Sequence, residues 1–107
     1  MDSLESLLFG IMYGGSYNAE KVGTDVVGDY TIDTCDTVDQ GWETAIWKGE
    51  NPMIIVQRYA SKGEAEAGHK YWMSVCELNP VQAWSVQTDR YENFEEEKKW
   101  DIIPGTI

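Results

Sequence analysis

His69, Cys35 and Cys76 are the residues of this sequence best suited to nucleophilic or proton-transfer chemistry near neutral pH. A thiolate–imidazole pair would join Cys76 to His69, seven positions away on one helix. That is about 10 Å along the axis at 1.5 Å per residue, beyond direct hydrogen bonding. The two cysteines are 41 positions apart and form no C-x-x-C, so zinc has no ligand set. A disulfide between them belongs to an exported chain, and without a secretory signal both thiols read as reduced and structural. His69 itself reads as a packed or capping side chain at the margin of an apolar helix face, beside Trp72. Gly14-Gly15-Ser16-Tyr17 lacks the strand-before, helix-after setting of a phosphate loop, and Lys21 is not at the required spacing. We expect no catalysis, no cofactor and no metal.

The carboxylates carry the stronger signal. Asp25, Asp29, Asp33, Asp36, Asp39 and Glu43 follow one another without an intervening base. They lack the D-x-D-x-D-G spacing and late glutamate of a calcium loop. Two readings remain: a solvated sheet face that discourages edge pairing, and a face that docks on a basic protein surface. Acids number 19 against 8 bases, a net charge of −11 over 107 residues. That charge disfavours nucleic acid and anionic membranes and favours basic partners.

The elements that position these residues are clearest between Trp42 and Cys76. Trp42–Trp47 alternates, Lys48-Gly49-Glu50-Asn51 is turn chemistry, and Met53–Tyr59 is a β-branched run opened by Asn51-Pro52, which together predict an antiparallel hairpin. Ser61 and Glu64 form a capping box for a helix over 61–78. Ala65, Gly68, Trp72, Val75 and Cys76 line its apolar face, and Asn79-Pro80 ends it. Upstream, Thr24–Val38 reads as one strand with Val26, Tyr30 and Ile32 inward and Asp25, Asp29, Thr31 and Asp33 outward. Residues 1–13 read as an amphipathic helix with Leu4, Leu7, Leu8 and Ile11 on one stripe, and the acids Asp2 and Glu5 replace the basic region of a signal peptide. Val81–Val86 fits a strand or a helical turn. Arg90–Lys99 reads as a short helix, with acids before bases, and Asp101–Ile107 as an extended tail.

The expected fold is a single α+β domain: three or four antiparallel strands within 24–60, packed by the helix at 61–78, with the N-terminal helix docked on it. The segment Glu43–Trp72 resembles a strand–strand–helix module found in small acidic proteins encoded by bacteriophages. The matching positions are Glu43-Thr44-Ala45, Tyr59, Glu66-Ala67-Gly68-His69 and Trp72. The resemblance covers about a third of the chain. It implies phage origin, and by class an anti-defence (anti-CRISPR-like) inhibitor in the host cytoplasm. Its partner would be a basic host protein such as a nuclease or nucleic-acid-binding complex. The alternative is a structural or assembly component of a virion or replication complex, with contacts made by the N-terminal helix and the isoleucine-rich tail.

Overall fold

A computed structural model describes residues 20–37 and 39–95. The expected helix at 1–13, the later part of the expected helix at 90–99 and the tail lie outside these residues. Four strands form one antiparallel sheet in chain order: β1 (Lys21–Val27), β2 (Tyr30–Thr37), β3 (Gly41–Lys48) and β4 (Ile54–Tyr59). Helix α1 (Lys62–Cys76) crosses one face, and a two-stranded ribbon, β5 (Gln82–Ser85) and β6 (Arg90–Asn93), follows it. The fold is α+β.

The expected strand over 24–38 is two strands. Val27 pairs with Tyr30 across a two-residue loop, Gly28-Asp29. Gly28 has φ +59°, the positive φ that a II′ hairpin turn requires at its first loop position. A two-residue loop swaps the parity of the strands. Asp25 therefore faces α1 beside Ile32, whereas Asp33 faces the other side beside Thr24. Val26, expected inward, is 70% exposed.

The β3–β4 hairpin forms as the turn chemistry implies, with Gly49 at φ +57° and a bulge after Thr44. Ser61 caps α1, its Oγ accepting from the Glu64 amide at 3.2 Å. The return half of the box reaches one residue further than expected, with the Glu64 carboxylate accepting from Ala60 N at 2.9 Å. The helix ends through Asn79, whose φ of +52° a short polar side chain tolerates. Residues 90–93, expected to be helical, instead pair as a strand with 82–85. The Trp84–Tyr91 cross-strand pair, ring centroids 5.1 Å apart, supports that pairing.

The apolar core lies between the sheet and α1. Tyr30, Ile32, Ile46, Ile54 and Val56 meet Cys76 from the helix and Ala83 and Phe94 from the ribbon. Phe94 stacks edge-on against Tyr30 at 5.3 Å, and the Tyr30 hydroxyl donates to Pro80 O at 2.5 Å. Trp72, expected as the core plug, is only partly buried. A smaller cluster on the opposite face joins Cys35, Ala45 and Ile55 with Trp47, Met53 and Val86. The cysteines thus lie on different faces, both buried and unpaired with each other.

Candidate functional site

The helix side of the sheet holds a hydrogen-bonded row that takes one side chain from each of five successive elements. Asp25 Oδ2 on β1 lies 2.7 Å from His69 Nε2 on α1. His69 Nδ1 lies 2.7 Å from Thr34 Oγ1 on β2. Thr34 Oγ1 lies 2.6 Å from Thr44 Oγ1 on β3, and Thr44 lies 2.9 Å from the Tyr59 hydroxyl on β4. Sheet register explains the middle of the row: Thr34 and Thr44 are directly opposed, and β-branched hydroxyl pairs of this kind bond across strands.

Counting protons gives the row a direction. A neutral imidazole has one donor and one acceptor, and each hydroxyl has one proton to donate. If Nε2–H donates to Asp25, Nδ1 accepts from Thr34, Thr34 accepts from Thr44, and Thr44 accepts from Tyr59. Every link is then made once. This matters because Thr34 and Thr44 are fully buried and His69 is 4% exposed, so an unmade link would be costly.

Aspartate, histidine and threonine in this order also resemble a nucleophilic triad. Here the Thr34 oxygen is sealed from solvent and already bonded to Thr44, so the row presents no reachable nucleophile. The row ties α1 to the sheet, with His69 packed between them. No group of three or more histidine, cysteine or acidic side chains among the described residues is arranged to hold a metal ion.

The outer end of the row opens on a groove. Gln57, Arg58 and Tyr59 of β4 form one wall, and Glu64, Ala67, Gly68, Tyr71 and Trp72 of α1 the other, around a cavity of about 710 Å³. Gly68 makes the groove's floor possible: a Cβ there would overlap the Tyr59 ring and hydroxyl. Trp72 Nε1 donates to Gln57 Oε1 at 2.8 Å, and its ring meets Tyr71 edge-on at 5.1 Å. Tyr71 is 59% exposed. Burial pushes the Tyr59 phenol up.

The six acids singled out in the sequence do not share one face. Asp33 and Glu43 are buried on the side away from α1. Lys21 Nζ lies 3.2 Å from Asp33, and Thr24 donates to it at 2.5 Å. Glu43 accepts from Thr37 at 3.3 Å and lies 4.0 Å from Arg58 Nε. Burial raises both carboxyls above their ordinary values, outweighing Thr24 and Lys21 for Asp33 and Arg58 and Thr37 for Glu43. Cys35, between them, is pushed up to about 12, chiefly by burial and then by the Asp33 charge. Asp25 is half-exposed at the end of the row. Asp29 and Asp39 are exposed on opposite hairpin ends, and Asp36 is half-buried. None of these last three makes a salt bridge among the described residues.

The sequence reading names Thr44 and Tyr59 only as positions of the strand–strand–helix module, and Thr34 and Tyr71 not as part of any site. Only Gly68 offered a clue, a small residue on a helix face where a strand's tyrosine must pass. No helix among the described residues is long and apolar enough to cross a membrane. No protein-family model, curated protein or solved structure matches the chain.

Proposed function

We propose that the chain is a non-catalytic binding protein that engages a basic protein surface through its exposed carboxylates. The observation behind this reading is the net charge of −11, together with Asp29, Asp36 and Asp39, which lack a salt bridge among the described residues. Carboxylates on a strand and its flanking turns, without a salt bridge among the described residues, steer a basic partner and raise its association rate. Asp33 and Glu43 stand outside the docking set because both are buried. The resemblance of residues 43–72 to a phage-encoded module favours a host defence or nucleic-acid-processing protein as the partner, with the chain as its inhibitor.

The test is capture of partners from a bacterial host lysate at low and high salt, with the wild type and with D29N/D36N/D39N. The expected result is a basic nuclease or nucleic-acid-binding protein held at low salt, released at high salt and lost with the triple variant. Capture that ignores both salt and the variant overturns the reading. A second reading, an assembly component, draws on the exposed apolar side chains Leu78, Val81, Trp84 and Tyr91. It predicts salt-insensitive association that Trp84→Ser weakens.

A further inference from the structure

We infer that the groove between β4 and α1 is a strand-addition site for an extended basic segment of the partner, one with lysine or arginine at alternate positions. The inference rests on the acidic-binding reading and names the place and shape of one contact within it. β4 ends the order of the four-stranded sheet. Its outer edge takes a backbone bond at Ile55, from Val86 N at 2.9 Å, where the β5–β6 ribbon abuts it. From Gln57 to Tyr59 no further backbone bond reaches that edge from the described residues. An open strand edge beside a helix fits one recurring mode of peptide recognition: backbone bonds supply affinity, and alternate side chains enter the groove.

The groove's chemistry selects the occupant. Glu64 is its acidic wall residue, and Arg58, the one basic lining residue among the described residues, lies 4.0 Å from Glu43, whose side chain faces away from α1. A cationic side chain entering the groove would lay its aliphatic stem on Tyr71 and Trp72 and bring its charge toward Glu64 and the rings. The net charge of −11 favours the same sign of ligand. An acidic strand would meet repulsion instead.

The probe is an end-capped, fluorescein-labelled peptide of about eight alternating lysine and valine residues, the length of one strand. Its binding to the full chain is followed by anisotropy and by amide NMR shifts. Saturable binding is expected, with shifts concentrated at Gln57–Tyr59 and Ala67–Trp72. N-methylation of alternate peptide amides removes the edge hydrogen bonds without touching the protein, and should weaken binding about tenfold or more. Tyr71→Ala, an exposed position that leaves the core intact, should weaken it roughly threefold to tenfold.

Equal binding of the methylated peptide, or shifts confined to Asp29, Asp36 and Asp39, overturns the strand site and leaves the acidic-surface reading standing. Binding that still needs the peptide amides but ignores salt removes the acidic-surface reading and keeps a strand site of different selectivity. Concentration-dependent shifts at Gln57–Tyr59 without peptide would assign the edge to a second copy of this chain, and also overturn the inference.

Discussion

The two faces of the four-stranded sheet bury polar groups in different ways. Toward α1, Asp25, His69, Thr34, Thr44 and Tyr59 form a row in which donors and acceptors pair one to one. Away from α1, Asp33 and Glu43 are buried carboxyls with salt-bridge partners that are 39% and 37% exposed, Lys21 and Arg58. Burial raises both carboxyls despite those partners. The row gives each of its buried groups a hydrogen-bond partner, whereas a buried charge loses more hydration than a partly exposed partner returns. The helix face thus pairs its buried polar groups, whereas on the other face burial works against the charged form of two carboxyls.

The sharpest way to break the helix face is steric. Gly68→Val would drive a branched side chain into the Tyr59 ring and part the helix from β4. A loss of about 3 kcal/mol in chemical denaturation is expected, the upper range for overpacking. Next comes Thr34→Val, nearly isosteric, which leaves His69 Nδ1 and the Thr44 hydroxyl without their buried partner. It should cost about 2 kcal/mol, and Thr34→Ser should recover most of that by restoring the hydroxyl.

The smallest effect is on the opposite face and has the opposite sign. Folded Asp33 and Glu43 hold their protons more tightly than the unfolded chain does. Their contribution to stability is therefore full below the ordinary carboxylate range and is lost as pH rises through the raised folded values. Asp33→Asn should flatten the fall in stability as pH rises above the ordinary carboxylate range, and leave the protein at least as stable as the wild type at the upper end. A variant markedly less stable than wild type at neutral pH would mean that the Lys21 pair outweighs desolvation, and the contrast between the faces would fail.

Legibility followed the range of the interactions. The β3–β4 hairpin and the start of α1 were readable because turn chemistry at Lys48–Asn51 and the Ser61–Glu64 box are local. Gly28-Asp29 escaped because its loop is two residues long and apolar–polar alternation runs on either side of it. That omission reversed the parity of the acids, so residues counted onto one outward face fell on two. The Arg90–Asn93 strand was read as helix because its polar sequence carries little pattern, and pairing with β5 decides it. Thr34 and Thr44 are unremarkable as single residues. They matter through a cross-strand register and a histidine 35 positions from Thr34, which no local pattern encodes.

The row from Asp25 to Tyr59 has a consequence for how the molecule comes apart. Its links join β1 to α1, α1 to β2, β2 to β3 and β3 to β4, with separations of 44, 35, 10 and 15 residues. Loop closure must precede most of them, so the row is completed late in folding and rewards only a chain whose elements are all in place. Fraying of β1 exposes the histidine, and fraying of β4 orphans a buried hydroxyl, so neither edge strand leaves without cost to the middle. A sheet with two edges thereby behaves as a single cooperative unit, and amide exchange along β1 to β4 should report one common opening rather than a gradient from the edges inward.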